Sequence, residues 1–410
     1  MKANMHKAQQ RMVITLVAAL QFVVLLDFLM VLPLGPDLAQ GLGFGLDQLG
    51  WITAAYTLAS ACSGLLALRW LDRFERKRVL LLAFGMVVLA TVAASFCASL
   101  SGLLLARVLT GLCGGPALAV AMAMVIDATA PEQRGAAIAK VMLGFSVAVI
   151  IGVPLVLELA RLLDWRAVFQ AVSLLAALVW LALWRFMPLL RQHIQVRAYV
   201  SIRTLLAQAA VRRACGWQFL AQFSAFLLIP HFSAFFMHQL GLPRAQLGSY
   251  YAIGGVCALI MVQVLGRLAD RTGATPPVML ASLCFCFGLL PLLGWTGAPL
   301  ILFFVLFMAG NAGRNVSLGA VLSQIPAAHE RAGFMSLQNV VQDASMALAA
   351  LLAALHDDGS GKLPGMAWLA TLALGSSLLL AGWVVWCSTM RGKICSQVPG
   401  HRADMQAGSD

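Results

Sequence analysis

The stretch "GRLADRTG", Gly266 to Gly273, has a partial copy in the first half of the chain, "LRWLDRFERKR", Leu68 to Arg78. The aspartates Asp270 and Asp72 stand 198 positions apart. Both stretches are polar islands in an apolar sequence. Of 410 residues 61% are hydrophobic and only 11% charged, and the mean hydropathy is +0.88. A soluble domain carries about 25% charged residues. Crossing the ~30 Å hydrocarbon layer takes about 20 apolar residues in a helix. Runs of that length recur along the whole chain, so the sequence predicts an all-α integral membrane protein.

Twelve spans are predicted, at 13–34, 48–70, 79–99, 102–125, 137–159, 167–188, 214–236, 247–267, 277–294, 298–321, 333–355 and 367–388. The first reads as a retained span, because no A-x-A-like site and no mature domain follow it. The two polar islands then occupy the same place, between the second and third spans of each six-span half. That is a parallel repeat about an axis along the membrane normal. The predicted organisation is an N-terminal six-helix bundle (1–188), a cytoplasmic linker (189–213), a C-terminal six-helix bundle (214–388) and a cytoplasmic tail (389–410). The linker holds five Arg and no acid, and part of it is expected to lie at the headgroups as an amphipathic helix.

The net charge of +12 is an orientation signal and gives no reason to expect nucleic acid. Of the 28 Lys and Arg, 22 fall on the side of the termini, four on the other side, and Arg107 and Arg314 inside spans. Positive charge stays inside, so both termini are expected in the cytoplasm. Nine scattered cysteines predict reduced, buried thiols with no disulfide framework and no zinc site. Neither G-x-x-x-x-G-K-[ST], H-E-x-x-H nor G-x-S-x-G occurs. No cofactor, no metal and no enzyme activity are expected.

At this point the chain resembles the major facilitator superfamily, whose loop signature reads Gly-x-Leu-Ala-Asp-Arg-x-Gly-Arg-Lys. "GRLADRTG" matches its first eight places through Gly266, Asp270, Arg271 and Gly273. The first-half copy keeps Asp72, Arg73, Arg76 and Lys77, with Leu68 and Glu75 where the glycines stand. A loop carboxylate can accept backbone N–H bonds at a helix N-terminus, and its basic partners would hold the cytoplasmic side shut. "LLLARVLTGLCGG" resembles the fourth-span signature, with Arg107 inside the membrane and Gly111, Gly114 and Gly115 packing closely. "GFSVAVIIGVP", Gly144 to Pro154 with Gly152, looks like the fifth-span motif of the antiporter branch. "DWRAVF", Asp164 to Phe169, resembles the start of span 6 in drug and sugar exporters. The resemblance covers about 13–388. It implies two pseudo-symmetric six-helix bundles and a charge relay in which Asp127 pairs with Arg76 or Arg73.

Individual residues sharpen this. Asp27 lies 14 residues past Val13, ~21 Å into a ~30 Å layer. Desolvation disfavours a charged carboxyl there, which suits a proton carrier. The alternative is a structural carboxyl bonded to a neighbouring helix. Arg107 either supports Asp27 and lines the cavity or acts as packing glue through carbonyls. Arg314 is its second-half counterpart, and an Arg314–Asp343 pair is plausible. Gln338, Asn339, Gln342 and Asp343 are expected on one inward face of span 11, with Asp343 near mid-depth as a second proton-coupling candidate. His231, after Pro230, is either titratable or satisfied packing. Gln222 and Phe235 are placed to line the cavity, and Glu158 to snorkel at the outer face.

The expected protein is a bacterial-type inner-membrane carrier, a proton-coupled exporter of a small, largely apolar molecule, acting as a monomer among lipid. Uptake or facilitated diffusion of a sugar or metabolite is the alternative. A membrane-embedded enzyme or a sensor is a third class. His231 and Asp343, from different spans, are its only candidate constellation.

Overall fold

The structure is a computed structural model, and it describes residues 7–70, 75–130, 133–188, 202–273, 275–322, 325–326, 331–355, 363 and 365–396. Span 1 is α1 (Lys7–Val31). A short helix follows it between the predicted first and second spans, α2 (Gly35–Leu42). Pro36 pre-sets the first turn of α2 and left-handed Gly43, at φ 69°, ends it. Then come α3 (Leu49–Trp70), α4 (Arg76–Ser95) and α5 (Leu100–Ala128). Span 5 is not one regular helix. Pro154 cannot donate to the carbonyl one turn back, and α6 (Arg134–Val147) widens into a π turn at Ala148–Gly152 before α7 (Val153–Leu162). Asp164 caps α8 (Trp165–Phe186), accepting the Ala167 N–H at 2.8 Å.

The second half begins earlier than predicted. In the predicted linker, α9 (Ile202–Ala207) buries Leu205 against Val211 and Ala214, so this part packs on the C-terminal half. Span 7 is α10 (Ala209–Phe226) and α11 (Ile229–His238), broken just before Pro230. Next are α12 (Arg244–Thr272) and α13 (Thr275–Gly288), the latter extended by a 3-10 turn at Leu290–Leu293. The last three are α14 (Leu300–Leu322), α15 (Arg331–Leu355) and α16 (Met366–Ser396). Among the described residues ten spans are long and apolar enough to cross a membrane. Short α13 and polar α15 stand at the places of the predicted ninth and eleventh spans. The cysteines correct one expectation: Cys387 is buried, but Cys62 is exposed and the other six described are intermediate.

The close approaches come from glycine. A Cβ on Gly111 would stand 2.2 Å from the Tyr56 carbonyl oxygen, and one on Gly144 2.6 Å from that of Ala18. Only glycine lets α5 lie on α3, and α6 on α1, at that distance. Gly114, Gly115 and Gly152 face Tyr56, Ser60 and Leu26 in the same way.

The packing of the two halves differs between the ends of the bundle. At the end away from the termini, one apolar cluster runs through both halves. It joins Met30, Leu49, Ile52 and Phe169 to Phe226, Phe232, Phe304 and Ala353. At the end of the termini the core divides. One cluster (Val13, Leu20, Phe84, Val125) belongs to the first half, and a separate one (Val211, Trp217, Phe334, Leu380) to the second.

Candidate functional site

Asp27 is no lone carboxylate. It is 2% exposed and faces Arg107, which is 1% exposed. Nη1 of Arg107 lies 2.9 Å from Asp27 Oδ2 and Nη2 lies 3.2 Å from Oδ1, a two-pronged pair. Nη1 also donates to the Asp27 carbonyl at 3.2 Å, and Thr91 on α4 donates to Oδ1 at 2.9 Å. Phe169 of α8 lies under the guanidinium, 5.4 Å from ring centre to Cζ. Spans 1, 3, 4 and 6 are thus tied through one ion pair. A cavity of about 10 Å³ adjoins it, lined by Phe28, Ile52, Thr53, Tyr56 and Arg107. That is room for about one water.

Asp343 is held differently. Half-buried on α15, it accepts one hydrogen bond, from Ser60 on α3 at 2.6 Å. That bond crosses from one half to the other. Among the described residues no cation pairs with it. α3 and α15 pack along most of their length, from Gly50 against Ala350 and Ala354 to Gly64 against Val340.

The expected Arg314–Asp343 pair is not formed. Arg314 is fully buried inside the second half, donating to Ser224 at 2.9 Å and Ser377 and Asn311 at 3.2 Å. Nor do the polar residues of α15 share one inward face. Gln338 and Gln342 turn to α10, toward Cys215 at 3.7 Å and Gln218 at 2.9 Å. Asp343 turns to α3, and Asn339 is exposed. Their side chains fan over three directions because residues 338 to 343 span well over one turn. Gln222 donates to Asn315 at 3.1 Å.

The end away from the termini is tied by polar contacts that sequence reading missed. Arg244, at the start of α12, pairs with Asp37 of α2 at 2.7 Å and donates to the Leu157 carbonyl at 3.2 Å. Fully buried His231 meets the Asp47 carbonyl at 3.4 Å, and its Nδ1 has no partner. Phe235 sits in the aromatic cluster beside it, 6.0 Å from Phe236. Glu158 is exposed and pairs with Arg161. Reversing one charge, Asp37→Arg or Arg244→Asp, is expected to open this end about fivefold more often, for roughly 1 kcal/mol of a partly exposed pair. Spin labels across the end should report a longer distance in each single variant and a near-native one in the double swap.

At the opposite end Arg76 pairs with Asp127 and donates to the Ala123 carbonyl at 3.0 Å. Asp72 and Arg73 lie outside the described residues, as does the Asp270 side chain. A Cβ on Gly266 or Gly273 would meet nothing within 4 Å among the described residues, and Gly273 takes φ 77°. Arg271 is exposed. A concavity of about 570 Å³ lies elsewhere. It is an open apolar groove on α16 between Gly375 and Trp386, with none of these polar groups on it.

Comparison with known proteins agrees with this architecture. The family model of the Major Facilitator Superfamily matches residues 17–350 and 214–403. An uncharacterised MFS-type transporter of Bacillus subtilis is 25% identical over 152 residues, 37% of this chain and 39% of that one. A chloramphenicol efflux pump of Mycobacterium tuberculosis is 23% identical over 249 residues, 59% of each chain. The matched region thus spans about two-fifths to three-fifths of these relatives' length. Among solved structures, a bacterial homologue of the human lysosomal transporter Spinster, inward-facing and occupied, superposes with a TM-score of 0.76 at 15% identity, covering 94% of this chain and 98% of that one. A D-xylose–proton symporter gives 0.74 at 17% identity, covering 90% and 96%.

Proposed function

Because the chain belongs to the major facilitator superfamily, and is therefore a multi-pass membrane transporter and not an enzyme, we propose that it exports a small, largely apolar molecule across the cytoplasmic membrane in exchange for protons. Both termini lie in the cytoplasm in this reading. The divided core then opens inward, and the Asp37–Arg244 end is the closed outer gate. The observation that carries the coupling is Asp343. It is a carboxyl at the seam between the halves, held, among the described residues, by one hydroxyl of the opposite half and by no cation. Protonation removes the charged acceptor of that bond, and charged acceptors make the stronger bonds. Proton traffic at Asp343 therefore changes how tightly α3 and α15 hold. A proton moving through ~100 mV supplies about 2.3 kcal/mol.

Asp27 and Arg107 serve as the fixed electrostatic keystone of the first half, and Arg76–Asp127 as part of the inner gate. Chloramphenicol, the cargo named for the M. tuberculosis relative, is a suitable first probe. Everted membrane vesicles acidified inside are expected to accumulate it, and to lose it when a protonophore is added. Accumulation by intact cells instead would favour uptake, the alternative direction for this fold.

A further inference from the structure

The repeat places corresponding arginines in the two halves and gives them different company. Arg107, in the fourth span, has the Asp27 carboxylate from the first span. Arg314, in the tenth, has the Ser224 hydroxyl from the seventh, which is the first span of its half. The second half therefore holds a positive charge in its core that the first half neutralises. Arg314 is 0% exposed. Its hydrogen bonds go to Ser224, Ser377 and Asn311 and, at 3.5 Å, to the Ala221 carbonyl. Its Cζ lies 3.6 Å from the centre of the Phe285 ring. Among the described residues no carboxylate pairs with it.

Neutral acceptors orient a guanidinium but leave its charge uncompensated, and arginine does not shed its proton. A second observation points the same way. Three buried polar atoms close to this charge in the sequence of α13 and α14 have no partner among the described residues. They are Arg314 Nε, Ser317 Oγ one turn farther along α14, and Ser282 Oγ one turn before Phe285 on α13. Arg107 Nε is also without a partner, so Nε alone does not separate the halves. The two serine hydroxyls and the missing acid do. Unpartnered hydroxyls one turn from Arg314 and from the Phe285 ring that its guanidinium faces are donors of the kind an anion needs.

We infer that Arg314, with the hydroxyls of Ser282, Ser317 and Ser377, receives a single negative charge, as Arg107 receives that of Asp27; the Ser224 hydroxyl already donates to the Ala221 carbonyl at 3.0 Å. The ligand is a free halide or the carboxylate of an amphiphilic cargo. The chemistry is the same for both. Only the second source rests on the transport reading, which it narrows from apolar molecules to those with one anionic group.

The test uses the purified full chain and its unfolding midpoint, since a ligand that binds the folded state raises apparent stability. Chloride and, separately, benzoate are added against gluconate at constant ionic strength. The expected result is a midpoint several degrees higher in chloride or benzoate. Ser224→Asp, which supplies the acid internally, should start higher in gluconate and respond to neither. Arg314→Lys should keep a weakened response. A response to chloride alone supports a resident inorganic anion. Competition of benzoate with chloride supports a cargo carboxylate. Equal midpoints in all three salts, or a response that survives in Ser224→Asp, overturn the inference. So does an anion response that is absent from the wild type and arises only in Asp343→Asn, which would make Asp343 the counter-ion. A chloride response in a protein that transports nothing leaves the site standing and sinks only the transport reading.

Discussion

Asp27→Asn is expected to destabilise the protein by about 3–5 kcal/mol, because it strands Arg107 in the core of the first half. Asparagine keeps the shape and can still accept from Thr91. It cannot supply the charge that Arg107 meets through both terminal nitrogens. The same substitution in an unpaired proton carrier would leave stability nearly unchanged and abolish coupling. The two readings of Asp27 thus separate on stability, before any transport is measured. Asp27→Asn with Arg107→Gln should recover most of the loss, because removing both charges avoids the orphaned cation. The unfolding midpoint of the detergent-purified protein is the readout. A single variant as stable as wild type would return Asp27 to the role of proton carrier.

Asp343→Asn is expected to do the reverse. The amide oxygen of asparagine can still accept from Ser60, so the seam between α3 and α15 keeps its hydrogen bond and the fold keeps its stability. What goes is the exchangeable proton. Proton-driven accumulation should fall at least about tenfold, the equivalent of ~1.4 kcal/mol of lost driving force. Exchange of labelled for unlabelled cargo without a gradient should persist. Loss of both activities together would indicate a structural role.

Much of the fold was legible because its signals are long and redundant. Twelve apolar runs and two polar islands at matching places need no side-chain geometry to be read. The glycines at 111, 114, 115 and 144 were legible too, since close helix approach in a membrane has few other solutions. The pairing of polar side chains was harder. Asp27 and Arg107 were each singled out, but nothing local says that span 1 presents its acid to span 4. By charge alone Arg314 and Asp343 read as partners. In the structure one looks into its own half and the other across to Ser60. A serine among apolar residues gives no sign that it meets an acid 283 positions away. Asp37 and Arg244 escaped notice because loop charges are ordinary and only the folded bundle puts α2 beside α12. The π turn before Pro154 and the short α2 lie below what periodicity resolves.

The claim that proton traffic at Asp343 moves the two halves can be tested without knowing the cargo. Spin labels on α6 and α12, at the end of the termini, report the separation of the halves in liposomes as pH is stepped from about 8 to about 5. The separation is expected to follow pH in the wild type and in His231→Gln, a second titratable group at the contact between the halves, and to be unresponsive in Asp343→Asn. An Asp343→Asn protein whose halves follow pH as the wild type does would contradict that claim.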